Sequence, residues 1–506
     1  MDRRRQVAIG ASALASTGVR LEKKTPLQLT DLFNRLWDRT RGAFAQQRTH
    51  ERARRLAIGS LLCLGRHTLT GLIGAGGCQF LDWSADYRLF ERERFDADVM
   101  MQSIQRAVVE RLPATDPVVT FMDDTLLRKR GRKVAGTSWR RDPLGPAFCN
   151  NFIWGQRFLQ ISAALPERPG ASRARAIPID VQHCPSPRKP SRRASEEDWK
   201  EYRRAQKESH ITQRGVERLH ALRRELDRSA EGRRRRLVAC VDGSYTNRTV
   251  LKSLPLRTTV IGRVRKDAKL YKLPSNDSSG RGRKRCYGER AATPEALRQD
   301  GSIPWQTASA AAAGKVHSFQ YKTMSPVRWR NAGGECDLRI IAIRPLAYRL
   351  SRQSRLLYRN PVYLVCTDPD LPVEQLIQYY IWRWEIEINF RDEKTLLGME
   401  QAQVRTPQAV ASVPVFVAAA YAMLLLAGEE LQGCSPMIQA FTPKWRTASH
   451  EQRPSTAQLI SLFRQQLWGL AIQPDNFSRF VNDDPSLPTV QNFKNSLHHA
   501  ILFAHG

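Results

Sequence analysis

The spacing of apolar positions changes twice along this chain. From Leu27 to about Leu112 they recur every three or four residues, in "LQLTDLFNRLWDRTRGAFAQQ", "RARRLAIGSLLCLG" and "DADVMMQSIQRAVVERL", which predicts a helical N-terminal region. "RHTLTGLIGAGG", lying between these segments, reads as a glycine-rich turn of the helix-turn-helix kind. Strand-like runs then begin at "DPVVTFMDDT" and continue through "FCNNFIWGQRFLQISAAL" and "RARAIPIDVQH". A proline-rich basic linker at 184–193 leads to one long charged helix from about Glu196 to Ser229, and "RRLVACVDGSYTNRTVLKSL" predicts a buried strand running into a loop and helix. Short strand-like runs fill 256–370, after which the pattern is helical to the end of the chain.

At 506 residues the chain is too long for one ordinary core. The expected fold class is α/β, divided into a helical N-terminal domain (1–114), the first part of a core (115–255), an inserted β-rich region (256–370), the second part of the core (371–430) and a helical C-terminal region (431–506).

The segment 379–400, "YYIWRWEIEINFRDEKTLLGME", carries the densest mixture of charge and apolar bulk. Read as one helix at about 100° per residue, it aligns Tyr380, Arg383, Glu387 and Lys394 on a stripe roughly 60° wide. Tyr379, Ile386, Phe390 and Leu397 flank the stripe on one side, and Ile377, Ile381, Trp384 and Ile388 on the other. Glu385, Asn389, Asp392 and Glu393 fall opposite, where a solvated face is expected. Arg383–Glu387 could be no more than a pair on a wet surface. Apolar residues on both sides of the polar stripe favour instead a carboxylate in a partly buried basic cleft.

Charge narrows the partner. The net charge is +32, with clusters "RKRGRK" (128–133), "RRRR" (233–236) and "RGRKR" (281–285), so a polyanion is expected, and nucleic-acid backbone before a membrane. The nine cysteines include no C-x-x-C pair, which argues for a reducing compartment and against a zinc module. The N-terminal "MDRRRQVAIGASALASTG" has too short and interrupted an apolar run for a signal peptide. The uncharged stretch Ala409–Ala427 could span a bilayer by length but contains Pro414 and much alanine, so a buried core helix behind 379–400 is expected.

Two aspartates end apolar runs: Asp124 in "VVTFMDDT" and Asp242 in "LVACVDGS". Each has an ordinary explanation, as a cap or turn residue. With Glu387 they form a set of three carboxylates beside basic residues, the kind of oxygen-only donor set that holds Mg²⁺ or Mn²⁺ for phosphodiester chemistry.

Tyr380, Arg383, Glu387 and Lys394, at their spacings, resemble the Tyr–Arg–Glu–Lys signature of DDE transposases from bacterial insertion sequences, family four and near relatives. "DDT" followed by "LLRKRGRK" resembles the first-aspartate region of that group, where the aspartate directly before Thr is the ligand; this selects Asp124 over Asp123. "VACVDGSY" resembles the second-aspartate strand, and the 145 residues from Asp242 to Glu387 leave room for a β-strand insertion. The resemblance covers about residues 115–430. It implies an RNase H-like core in which Asp124, Asp242 and Glu387 bind catalytic Mg²⁺, with Mn²⁺ able to substitute, while Tyr380, Arg383 and Lys394 grip the DNA backbone. It further implies cut-and-paste transposition by a homodimer on double-stranded DNA, in the bacterial cytoplasm at the nucleoid and without a membrane. Hairpin-forming relatives use a Trp of the insertion; Trp305 and Trp329 lie there. A non-catalytic DNA-binding protein derived from a transposase is the alternative, and a basic RNA-binding protein a third reading.

The clustered charge makes one prediction independent of mechanism. Duplex DNA binding, followed by fluorescence anisotropy, should fall linearly in log affinity with log salt and steeply; a salt-insensitive affinity would remove the backbone as the main contact.

Overall fold

The computed structural model describes residues 27–142, 145, 151–274, 285–351, 353–434 and 453–468. Five helices come first: α1 (Leu29–Asp38), α2 (Gln47–Leu62), α3 (Leu69–Ala75), α4 (Ser84–Glu91) and α5 (Ala97–Val109). Strands β1 (Val118–Arg128), β2 (Ser138–Arg141), β3 (Phe152–Pro166) and β4 (Ala174–His183) follow, then α6 (Glu196–Glu208), α7 (Ile211–Leu226) and α8 (Ala230–Arg234). Next are β5 (Leu237–Val241), α9 (Arg248–Leu251), β6 (Thr258–Arg263), β7 (Leu270–Tyr271) and α10 (Pro294–Gln299). Six more strands, β8 (Gln306–Ala312), β9 (Lys315–Trp329), β10 (Leu338–Ile343), β11 (Ala347–Tyr348), β12 (Leu357–Tyr358) and β13 (Val362–Cys366), precede the last helices. Those are α11 (Val373–Trp382), α12 (Glu385–Thr395), α13 (Pro407–Cys434) and α14 (Thr456–Trp468).

Two local readings change. The glycine-rich 66–77 segment is mostly α3 itself rather than a turn, capped by Thr68, whose side chain accepts from the Gly71 amide. A side chain on Gly59 would begin only 2.4 Å from the Leu72 carbonyl oxygen, so its glycine lets the backbones of α2 and α3 touch. The charged stretch 196–229 is not one helix. It breaks at Ser209–His210, where the His210 ring accepts from the Thr212 amide and starts α7 afresh.

β3 runs antiparallel to β1 and β4 antiparallel to β3, while β5 lies parallel to β1 on its other side and β6 parallel to β5. This order, β4-β3-β1-β5-β6, makes a mixed α/β sheet consistent with an RNase H-like core. The strands of the region 256–370, expected as a β-rich insertion, extend this sheet: β13 pairs with β6, β10 with β13 and β9 with β10. One sheet of eleven strands results.

Alternation along the central strands divides the apolar residues between two faces. Val119, Phe121, Val238, Cys240 and Ile261 pack against Leu376, Ile377, Ile386 and Phe390 of α11 and α12. Met122 and Val241 point the other way, into a core shared with Leu219 of α7 and Val250 of α9. That core continues through α13, apolar on every side and buried continuously from Phe416 to Ala427 between α1, α2, α4, α5, β4 and α14. Residues 407–433 are long and apolar enough to cross a membrane, and here almost all of that surface is covered by the fold.

The face of the 379–400 segment expected to be wet is buried. Asn389, Asp392 and Glu393 are at most 4% exposed. The segment is two helices, with a turn at Arg383–Trp384, so a single helical wheel does not describe it. Asn389 accepts from the Ser162 hydroxyl and donates to the Ala176 carbonyl and to Tyr421 of α13. Asp392 accepts from Thr456 of α14 at 2.7 Å. Glu393 is fully buried beside Gln160, with no well-formed hydrogen bond to either carboxylate oxygen.

Burial pushes the Glu393 carboxyl up to about 8, with Asp392 adding to the rise and Gln160 and Lys394 opposing it. It therefore stays protonated in the folded chain over a range where the unfolded chain has lost the proton. Its contribution to stability is complete below about pH 4.5 and is lost as pH rises through about 8. Glu393→Gln, neutral throughout, should unfold at a higher urea midpoint than the natural chain at pH 8.5, the difference shrinking toward pH 5. A pH-independent difference would show that Glu393 does not carry this proton.

Candidate active site

Asp123 lies in the middle of β1, one residue past the stretch paired with β5, and the period of two places its side chain on the face of Phe121. Asp242 follows β5 by one residue and shares that face through Cys240. In the parallel register Met122 lies opposite Val241, which puts Asp123 and Asp242 side by side where the pairing of β1 with β5 stops. Asp123 is half-buried; burial first and the Asp242 carboxylate second push its carboxyl up to about 7, against the Asp124 amide and Arg383. Its Oδ1 accepts from the Asp124 amide at 2.8 Å, and its Oδ2 lies 3.4 Å from Nη1 of Arg383.

Asp242 is held by the turn it begins. Its Oδ1 accepts from both the amide and the hydroxyl of Ser244, at 2.8 and 2.6 Å. The turn is pinned in turn by Thr246, whose hydroxyl donates to the Gly243 and Arg263 carbonyls. Gly262 on β6 makes room for it: a side chain there would begin 2.2 Å from Cγ2 of Thr246.

The expected first carboxylate, Asp124, points to the opposite face. Its Oδ1 accepts from the hydroxyl of Tyr245 at 2.9 Å, and its Oδ2 pairs with Nε of Arg157 at 2.9 Å. The choice between two adjacent aspartates rested on a short motif match; strand alternation places Asp123, and not Asp124, with Asp242 and Arg383. Alternation around "DDT" carried that signal in the sequence, since Phe121 and Cys240 are both two residues before the aspartates concerned.

Of the helical stripe, Arg383 comes to Asp123, and Tyr380 stands beside Arg383. The Arg383 guanidinium lies over the Tyr380 ring, 5.6 Å from its centre, and burial raises the Tyr380 phenol, whose hydroxyl is buried without a hydrogen-bond partner among the described residues. Glu387 lies in the first turn of α12, beyond the turn at Arg383–Trp384. Lys394 lies at the far end of α12, its ammonium lowered by burial against the opposing fields of Glu400, Glu393 and Glu387. Among the described residues no three His, Cys, Asp or Glu side chains stand close enough together to hold a metal ion. Asp123 and Asp242 are brought together, and Glu387, on α12, does not complete a group of three with them.

The basic runs serve different ends. In "RRRR", Arg235 is buried and donates to the carbonyls of Leu112, Pro113 and Asp116, and Arg236 pairs with Asp368, so half of that run is structural. Residues 281–284 lie outside the described residues. Trp305 lies beneath Lys322 and Arg344, and Trp329 packs in the β7–β9 layer.

The two aspartates should respond oppositely to neutralisation. Asp123 is protonated in the folded chain up to about pH 7 and ionised in the unfolded chain above about 3.8, so the stability linked to it is lost as pH rises between those values. Without divalent ions, Asp123→Asn should raise the thermal midpoint at pH 8 and have little effect near pH 4. Asp124→Asn, which weakens the contacts to Tyr245 and Arg157, should lower it at pH 8. Shifts of the same sign in calorimetry would mean that the two side chains do not face different surroundings.

No curated protein matches the chain. A family model described as DDE superfamily endonuclease matches residues 40–333, a span that includes both aspartates and stops before α11 and α12. With more than half of the chain matched, and two carboxylates side by side on adjacent parallel strands within the match, the protein belongs to the DDE superfamily endonuclease family.

Proposed function

We propose that the protein is a DNA transposase of insertion-sequence type, cutting at the ends of its element and joining them to target DNA. The observation that carries this reading is the meeting of Asp123 and Asp242 beside Arg383, on the sheet face covered by α11 and α12. The first catalytic carboxylate is then Asp123, with Asp242 the second and Glu387 the third.

The donor set fits a hard divalent cation. Two mutually repelling carboxylates supply hard oxygen donors, while the neighbouring Cys240 thiol is fully buried in the core, so the pair suits Mg²⁺ or Mn²⁺. When bound, the cation supplies positive charge to the attacking and leaving oxygens of a phosphodiester. The remaining work falls to side chains of this chain. Arg383 leaves its carboxylate partner at 3.4 Å, long enough to turn toward a phosphate, and its Nε is buried and unpartnered. The unpartnered Tyr380 hydroxyl can donate to the same phosphate, and Lys394 can hold the backbone a turn or two away. Double-stranded DNA ends are the substrate, and a homodimer places two ends together; Asp124 has a positioning role, fixing Tyr245 and Arg157 behind the strand.

Purified full-length protein incubated with labelled duplex carrying the element's flanking ends should cut at those ends with Mg²⁺ or Mn²⁺. Asp123→Ala, Asp242→Ala and Glu387→Gln should each slow cutting by about a thousandfold, whereas Asp124→Ala should keep cutting within about tenfold wherever it folds. Undiminished cutting by Glu387→Gln would remove the transposase reading, and loss in Asp124→Ala with full activity in Asp123→Ala would reverse the assignment of the first carboxylate.

A further inference from the structure

A second surface of distinct chemistry rises from the same end of the sheet. β2 pairs only with the first residues of β3, and it forms the sheet's edge there. In that ribbon Trp139 lies opposite Trp154 and Arg141 opposite Phe152, so alternation puts these four side chains on one face. The two indoles meet edge to face, with centres 5.5 Å apart. Trp139 is 61% exposed and Phe152 is 55% exposed, among the largest exposed apolar side chains of the described residues.

Basic charge is fastened beside these rings. The indole Nε1 of Trp154 donates to the Gly131 carbonyl and its own carbonyl accepts from the Lys129 amide, while Gln156 donates to the Ala135 carbonyl. The run 128–133 is thereby folded against the ribbon. Arg130, Arg132, Lys133 and Arg141 are exposed there and make no ion pair among the described residues. Arg128 pairs with Asp142, and the half-buried Lys129 donates to the Glu400 carbonyl, so these two cations take the acidic and carbonyl partners nearby.

The ribbon is in register with the carboxylates. Asp123 lies opposite Gln160 and Arg128 opposite Gly155, with no bulge between, so Trp154 and Phe152 share the parity, and hence the face, of Gln160 and Asp123. Five residues of strand separate Asp123 from Arg128, roughly 17 Å, a distance that a DNA strand covers in a few nucleotides. Water-exposed aromatic rings flanked by unpaired cations bind unpaired bases by stacking while the cations follow the backbone. A face meant for duplex backbone alone needs the cations and gains nothing from two exposed rings backed by a half-buried third.

We infer that Trp139, Phe152 and Trp154, with Arg130, Arg132, Lys133 and Arg141, form a stacking platform for unpaired DNA bases next to the cleavage site. The inference rests on the endonuclease reading only for its choice of DNA as partner. The platform takes bases without regard to sequence, because every base offers a face to stack on.

The test is binding by the full chain, without divalent ions, to fluorescein-labelled duplex DNA that is either blunt or carries a six-nucleotide 3′ or 5′ overhang. The natural chain should prefer one of the overhang duplexes. Trp139→Ala and Phe152→Ala, both at exposed positions and expected to leave the thermal midpoint unchanged, should each weaken that complex by roughly tenfold and the blunt complex by less than about twofold. Trp139→Phe should recover most of the loss. Equal affinity for blunt and overhang DNA, or equal weakening of both by the two variants, would overturn the platform. So would conversion of a dimer to a monomer by either variant without DNA, since the face would then be a contact between copies of this chain. Overhang preference in a protein that never cuts would leave the platform standing and remove the transposase reading; cutting without overhang preference would do the reverse.

Discussion

The fold depends on enclosing a helix that has no polar side. From Phe416 to Ala427, α13 presents apolar surface in every direction, so it is stable in water only when covered all round. The N-terminal helices cover part of it, α14 another part, and β4 with the back of α12 the rest. This demand draws into one core segments more than 300 residues apart in sequence. It also fixes α12: Asn389 reaches Tyr421 of α13, and Asp392 reaches Thr456 of α14, so the helix that carries Glu387 and Lys394 is tied at its back to two others. Hydrogen bonds of this kind add little net stability each, but leaving one group unpaired in such a place is costly, which is why the tie specifies a single seating of α12.

From that seating the site follows. α11 and α12 lie on one sheet face, and only residues of one parity in β1 and β5 can meet them. Asp123 and Asp242 have that parity and Asp124 does not. The neighbour of Asp123 instead looks into the core behind the sheet, where Arg157 and Tyr245 satisfy it. Two adjacent carboxylates of the same chemistry therefore experience different environments because a pleated strand turns successive side chains to opposite sides.

Much of this was legible in the residue pattern. The helical N-terminal region, the strands around "VVTFMDDT" and "LVACVDGS", and the buried nature of 409–427 all show in apolar spacing, because burial acts on local periodicity. What the pattern did not disclose are effects of tertiary contact. A turn at Arg383–Trp384 divides the segment that a wheel treats as one helix, and so Asn389, Asp392 and Glu393 look solvated in projection while they are buried in fact. Strand partners beyond a short connection are likewise silent in sequence, which is how runs in 256–370 that resemble an independent region come to extend the central sheet. Arg235 is a similar case: within "RRRR" nothing distinguishes a guanidinium that binds three carbonyls from its exposed neighbours.

The missing side chain of Gly262 reaches beyond local packing. Thr246 occupies the space where a methyl group on β6 would stand, and Thr246 anchors the turn that begins with Asp242. The position of the second carboxylate is thus set by an interlock between neighbouring strands, as a key is set by its slot. Mutational tolerance should consequently be inverted there relative to ordinary sheet positions: the smallest change available at Gly262, one methyl group, perturbs the chemistry of a residue on another strand, whereas larger changes at exposed edge positions leave it untouched.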